Sequence, residues 1–230
     1  MSYLFRVLIF VCAALSLFST SWAKRSDRFS GEFVEVCSSP CVYVCEHFLS
    51  DDECDHVIES VRGTLTRATV VDVDSSMSVV DSRRTSLGTF IPSTSQDKVI
   101  RKIQKRIAEA TEIPEANGES MQILHYSEGA EYQPHFDYFD PATSGGAVHL
   151  NRGGQRVATF LIYLNTPEAG GETIFPRAQL KVIPRKGTAV LFYNVDSSGA
   201  PDPMSLHGGA PVVSGEKWLL TRWLREGAFF

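Results

Sequence analysis

No cysteine occurs after Cys54, no Asn-x-Ser/Thr acceptor occurs past residue 23, and the chain has no internal repeat and no low-complexity tract. Basic charge is also short: 22 Lys and Arg stand against 27 Asp and Glu, a net of -5. That balance argues against a nucleic-acid partner, which usually requires a basic face. The missing acceptor predicts no N-glycan. The few cysteines lack Cys-x2-Cys knuckles, and no histidine follows them at finger spacing, which disfavours zinc. With 230 residues the chain can bury a full core, and one domain is the default.

The N-terminus reads as an export signal. One early cation, Arg6, precedes an apolar run from Val7 to Phe18, and small residues stand at Ser21 and Ala23. Cleavage after Ala23 is expected. An uncleaved anchor is the rival, but the run is shorter than a comfortable bilayer span. Residues 1–23 are thus expected to be a signal, 24–41 a polar lead-in and 42–230 the single folded domain. The compartment follows: the lumen of the endoplasmic reticulum or Golgi, or secretion, with anchoring if the signal stays and no stable membrane association if it leaves. Cys37, Cys41, Cys45 and Cys54 are an even set in an oxidising compartment, so disulfides are expected, with three possible pairings.

"CVYVCEHFL" alternates like a strand. "LSDDECDHVIESVRGTL" predicts a helix with Ser50 as N-cap, Glu53 closing a capping box, and Cys54, Val57, Ile58, Val61 and Leu65 as its buried stripe. A second helix is expected over 97–111, with Val99, Ile100, Ile103, Ile107 and Ala110 inward and Arg101, Lys102, Lys105 and Arg106 in water. Residues 75–87 and 138–153 read as two long mobile loops. Past Gly118, short β-rich runs ("MQILHY", "EYQPHF", "RVATFLIYL", "GETIF", "LKVIP", "GTAVLFY", "SLHGG", "EKWLLTRWL") are punctuated by turn residues. Many short strands of this kind mean a sandwich or barrel.

Within "HFDYFD", His135 and Asp137 are two apart and share one face of a strand. Alone the pair is a weak signal. A second histidine on a distant strand would complete a facial triad, which leaves open positions and suits non-haem Fe(II). His207, in "SLHGGAP", stands at a strand end beside glycines that allow close backbone approach. Ten residues on comes Lys217, whose ammonium could fix the distal carboxylate of a dicarboxylic cosubstrate.

"LHYSEGAEYQPHFDYFD", "GGQRVATFLIYLN", "GGETIFP" and "SLHGGAPVVSGEKWLLTRWLR" together resemble the prolyl 4-hydroxylases of the Fe(II)/2-oxoglutarate oxygenases, the plant and algal type most of all. The resemblance spans about residues 42–225. It implies a double-stranded β-helix, a distorted jelly roll that is mainly β with supporting helices. It implies His135, Asp137 and His207 as iron ligands, Lys217 as the partner of 2-oxoglutarate's far carboxylate, Tyr126 and Thr173 as hydroxyl donors to that carboxylate, and Trp223 as a wall of the cosubstrate pocket. On the substrate side it implies Arg84 and Ser86, in a loop that closes over the peptide, with Glu119 and Arg156. The implied reaction turns peptidyl proline into 4-hydroxyproline as 2-oxoglutarate and O2 give succinate and CO2, with L-ascorbate keeping the iron reduced. A proline-rich peptide or protein is the expected partner, and a monomer the expected state. Two rivals stand beside this reading: an oxygenase of the same fold acting on another residue or a small molecule, and a non-enzymatic metal-binding β-barrel. Lys217 weighs against the second, since a structural metal site does not require it.

Overall fold

The computed structural model describes residues 32–71 and 77–230. The expected signal, residues 1–23, lies outside the described residues. Two helices, Asp51–Val61 and Lys98–Thr111, back a large antiparallel sheet. Its eight strands, in spatial order, are Val34–Ser38, Cys41–Cys45, Ala189–Tyr193, Arg156–Tyr163, Lys217–Arg225, Met121–Tyr126, Leu87–Ile91 and Thr66–Arg67. A smaller sheet faces it, in the order Leu180–Val182, Thr173–Phe175, His207–Gly209 and Tyr132–His135. Two antiparallel sheets joined by crossovers form the expected jelly roll.

The sheet residues alternate between two cores. Ile123, Phe160, Ile162, Leu191, Trp218 and Leu220 face the helices and meet Val57, Ile100, Ile103 and Ile107. Leu124, Tyr126, Leu161, Tyr163, Val190, Phe192 and Leu219 face the small sheet and meet Phe175. Because both faces are covered, all nine residues of Lys217–Arg225 are buried. Polar residues on its inner face are therefore placed for chemistry or must be held by partners.

The first helix forms as expected. The Ser50 hydroxyl accepts from the Glu53 N–H at 3.2 Å, and the Glu53 carboxylate accepts from the Ser50 N–H at 3.1 Å. Asp97 caps the second helix through the Val99 and Ile100 N–H groups. Arg106 departs from the expected wet face. It is buried and joins the two helices, donating to both Glu53 oxygens at 2.7 and 2.9 Å and to the Phe48 carbonyl at 2.7 Å. A periodicity argument sees only a cation on the helix rim; the acid on the neighbouring helix draws it in.

Other segments show more than the sequence reading gave. Within the expected polar lead-in, Val34–Ser38 pairs with Cys41–Cys45 as a hairpin. Residues 138–153 are not simply a loop: Thr143 caps a short helix, Ser144–Leu150, by accepting from the Gly146 N–H. Two glycines had masked that helix. The expected loop 75–87 falls partly outside the described residues, but Ser78–Val79 pairs with Val70–Val71 and Arg84 bridges to Tyr132. The four cysteines stand as free thiols in this structure. Cys37 lies opposite Val42 and Cys41 opposite Ser38, so strand alternation turns their side chains to opposite faces. Burial pushes the Cys45 and Cys54 thiols up to about 12.

Burial alone would raise the Glu53 carboxyl, but hydrogen bonds from Arg106, Ser50 and Lys102 overcome it and hold Glu53 at about 2. A depressed carboxylate stabilises the fold above its unfolded value and loses that contribution as pH falls toward its folded value. Glu53→Gln is therefore expected to lower the denaturation midpoint at pH 7, with the deficit shrinking between about pH 5 and 2. Chemical denaturation across that range checks this; a deficit independent of pH contradicts it.

Candidate metal and cosubstrate site

His207 lies directly opposite His135 in the antiparallel pairing of the small sheet. The pairing requires a tight approach at the next residue: a Cβ on Gly208 would stand 2.9 Å from the Tyr132 carbonyl oxygen. Asp137, two residues past His135, turns back toward both imidazoles. Its Oδ1 is 3.6 Å from His135 Nε2 and its Oδ2 is 3.4 Å from His207 Nε2. Ligand atoms of the three residues all lie within 4.8 Å of one another. The three expected ligands are thus brought together.

Backbone carbonyls orient the rings. His135 Nδ1 stands 2.9 Å from the Gln133 carbonyl and His207 Nδ1 stands 2.9 Å from the Ser205 carbonyl. With Nδ1–H donating outward, each Nε2 keeps its lone pair toward Asp137, the tautomer a metal requires. The Thr159 hydroxyl donates to Asp137 Oδ2 at 2.7 Å and accepts from the Asn194 amide at 2.9 Å. Burial disfavours charge on Asp137, but His207 and His135 more than offset it and hold the carboxyl well below its ordinary value. Burial, and then His207, lower the His135 imidazole. Two neutral imidazoles and one carboxylate on one face fit a non-haem Fe(II) centre with open positions.

Lys217 lies across from Tyr126 and is buried, with 2 % of its surface exposed. Its ammonium donates to the Gly171 carbonyl at 2.7 Å and stands over the Tyr126 and Tyr163 rings, at 5.2 and 5.6 Å. No carboxylate forms an ion pair with it among the described residues. Burial lowers its pKa to about 8. A buried cation without a counter-ion is costly, and an anion in the adjoining space would relieve it. Gly209 leaves room for one: a Cβ there would be 3.7 Å from Nζ. Gly209 is two residues beyond His207, roughly 7 Å along the strand, a reach suited to a short dicarboxylate. Thr173 lies opposite Gly209, and its hydroxyl accepts from the Tyr163 hydroxyl at 2.7 Å. Tyr163 was not singled out by sequence; its place in an apolar strand hid it.

Trp223 is six residues from Lys217 on the same strand, roughly 20 Å along it, and stacks on Arg156 at 3.9 Å. It lines a cavity of about 980 Å³ that also contains His135, Asp137, Glu119, Arg156 and Arg84. Glu119 and Arg156 meet there as an ion pair at 2.7 and 2.9 Å. Arg84 and Ser86 are buried and lie beside the Tyr126 hydroxyl. Arg84 donates to the Thr69 carbonyl and the Gln122 amide oxygen and stands over the Tyr132 ring at 4.7 Å. Tyr132 itself stacks on His135 at 3.6 Å. Sequence reasoning missed Tyr132, although its position three residues before His135 on an edge strand was a usable signal.

A jelly roll with two histidines and one carboxylate at its mouth, and a buried lysine deeper in, fits an Fe(II) oxygenase with a dicarboxylate cosubstrate. Comparison agrees. The family model of the 2OG-Fe(II) oxygenase superfamily matches residues 121–225. Prolyl 4-hydroxylase 2 of Arabidopsis thaliana is 39% identical over 248 residues, covering 97% of this chain and 81% of that protein. Probable prolyl 4-hydroxylase 7 of the same plant is 45% identical over 209 residues; the match takes in 83% of this chain and 64% of that longer protein. Among solved structures, the viral collagen prolyl hydroxylase of Paramecium Bursaria Chlorella virus-1, as its 2OG complex, is 32% identical with a TM-score of 0.64, over 83% of this chain and 98% of that one. The chain belongs to the 2OG-Fe(II) oxygenase superfamily, in its prolyl 4-hydroxylase group.

Asp137→Ala is expected to abolish stoichiometric binding of a divalent metal, measured by elemental analysis after dialysis. Metal ligands must be deprotonated, so affinity falls in acid. Because burial lowers the His135 pKa, the wild-type protein should hold its metal to pH values below the ordinary histidine range. Retention of one metal per Asp137→Ala chain would contradict the assignment.

Proposed function

We propose that this chain hydroxylates peptidyl proline to 4-hydroxyproline in proline-rich proteins, coupled to decarboxylation of 2-oxoglutarate to succinate and CO2. The observation that carries the reading is the cavity over His135 and Asp137. Its wall is aromatic (Phe90, Tyr132, Phe136, Tyr138, Trp223), interleaved with guanidinium groups. A polyproline II peptide is already extended, exposes its carbonyls because it has no internal hydrogen bonds, and docks on aromatic surfaces. Flat rings suit its prolines, and guanidinium donors suit its carbonyls. The Trp223 indole N–H, buried and without a partner, is a further donor in this wall.

His135, Asp137 and His207 would hold Fe(II), which supplies activation of O2 when bound. The protein's own share is positioning. Lys217 binds the far carboxylate of 2-oxoglutarate, and the Tyr163–Thr173 pair offers a hydroxyl beside it. Tyr132 fixes the His135 ring by stacking, and Thr159 fixes Asp137. Arg84, Ser86, Glu119 and Arg156 belong to the peptide side, Arg84 by holding Tyr132 and Arg156 by facing the peptide with Trp223. L-Ascorbate restores the metal after turnovers without peptide. The enzyme acts as a monomer in the endoplasmic reticulum or Golgi lumen, after loss of residues 1–23.

Incubation with Fe(II), 2-oxoglutarate, ascorbate and a proline-rich peptide should add one oxygen to proline, read by mass spectrometry. Lysine peptides modified in preference to proline peptides would favour the rival oxygenase. No 2-oxoglutarate consumption with any peptide would favour the non-enzymatic barrel.

Lys217→Ala should weaken 2-oxoglutarate by a few hundred-fold or more, since stripping a buried charge of its partner costs on the order of 3–5 kcal/mol. The ammonium must be protonated to bind, and its free pKa is about 8. The KM for 2-oxoglutarate should therefore rise steeply above about pH 8 in the wild-type protein. Lys217→Arg should bind more weakly but remain flat through that range, because guanidinium stays charged. A wild-type KM unchanged between pH 7 and about 9.5 would contradict the role of Lys217.

A further inference from the structure

Two polar side chains interrupt the apolar inner face of the large sheet. Thr159 lies in Arg156–Tyr163, opposite Phe192 on one neighbouring strand and Trp223 on the other. Asn194 directly follows Ala189–Tyr193. Leu161 and Tyr163 continue the face of Thr159, and Val190 and Phe192 that of Asn194. Neither polar residue has any exposed surface. Valine has the shape of threonine and would pack in the same place. A hydroxyl kept there needs partners, and its burial calls for a reason.

The pair has a direction. The Asn194 amide N–H donates to the Thr159 oxygen at 2.9 Å, which leaves the single hydroxyl proton for Asp137 Oδ2 at 2.7 Å. Asn194 is fixed by its own N–H, which donates to the Val157 carbonyl at 2.9 Å, and by its carbonyl, which accepts from the Asp202 N–H at 2.9 Å. Its Oδ1 is buried without a partner. An unpaired buried acceptor is a standing cost, so the amide is not placed there for its own satisfaction. What it secures is the direction of the Thr159 proton. The two oxygens of Asp137 are thereby made unequal. Oδ2 is engaged by Thr159, whereas Oδ1 faces His135 Nε2 at 3.6 Å.

We propose that Thr159 is a positioning residue that holds Asp137 to a single metal bond, through Oδ1, and so keeps one coordination position free for O2. The inference rests on the Fe(II) and 2-oxoglutarate part of the reading above, not on proline as the substrate. Carboxylates bind metals through one oxygen or both. An octahedral ion held by two imidazoles and one oxygen has three positions left, two for the keto and carboxylate oxygens of 2-oxoglutarate and one for O2. Held by both oxygens of Asp137, it has two, and 2-oxoglutarate fills them. Chelation would give up the hydrogen bond from Thr159, which is strong because its acceptor is charged.

The test uses nitric oxide as a stand-in for O2. Protein loaded anaerobically with Fe(II) and 2-oxoglutarate is titrated with the gas and read by electron paramagnetic resonance. Thr159→Val should keep its melting transition and one Fe(II) per chain, yet bind nitric oxide at least about tenfold more weakly than wild type, the worth of one hydrogen bond to a charged group. Thr159→Ser keeps the hydroxyl and should restore binding. A merely structural role would lower the melting transition or the metal content and leave the nitric oxide affinity of loaded protein unchanged. If Thr159→Val does not fold, the wild-type protein decides. With isotope-labelled aspartate, its infrared difference between metal-loaded and metal-free forms should show the widely split carboxylate stretches of one-oxygen binding. The narrow splitting of a chelating carboxylate would overturn the proposal. A wild-type protein that holds neither Fe(II) nor 2-oxoglutarate refutes the underlying reading. One that holds both, with equal nitric oxide affinity in wild type and Thr159→Val, overturns the role of Thr159 alone.

Discussion

The antiparallel register that sets His207 opposite His135 is the constraint on which the site depends. A slip of one residue would turn one imidazole to the other face of the small sheet and leave no triad. Several local choices serve that register. Gly208 permits the close approach to Tyr132, and the carbonyls of Gln133 and Ser205 set the ring tautomers. Gly209, next on the same strand, leaves open the space before the Lys217 ammonium. One short strand, His207–Gly209, therefore carries both a metal ligand and the opening before Lys217.

Buried cations are handled in two ways. Lys217 has a carbonyl and two aromatic faces as close partners and no carboxylate in ion-pair contact; burial drives its pKa down to about 8 against the weaker pull of Glu172. Such a charge is a standing cost that an anionic cosubstrate removes, so the fold is primed for a carboxylate there. Arg156 and Arg225 are instead matched to Glu119 and stacked on rings, and the three acids and bases support one another without a ligand. The first arrangement makes binding favourable; the second makes a rigid wall.

Much of this was legible in the sequence because it follows from local patterning. The capping box at Ser50, the helix expected over 97–111, the apolar stripes and the strands after Gly118 all appear near where they were expected. His135, Asp137, His207 and Lys217 were found because a metal and a dicarboxylate impose specific residue types. What failed depends on contacts distant in sequence. Arg106 is drawn inward by Glu53, 53 residues earlier. Trp223 lines the cavity beside the metal ligands, at the far end of its strand from Lys217, a placement that identity alone does not give. The Ser144–Leu150 helix was hidden by its glycines.

The central claim is that one metal site, fed by the Lys217 pocket on one side and the aromatic cavity on the other, couples two oxidations. Incubation under heavy-oxygen gas with Fe(II), 2-oxoglutarate and a proline-rich peptide tests this most directly. The account predicts one labelled oxygen atom in 4-hydroxyproline and one in succinate, formed in equal amounts by the wild-type protein. Hydroxyproline carrying oxygen from water without exchange, or label in succinate with none in the peptide at saturating peptide, would contradict it.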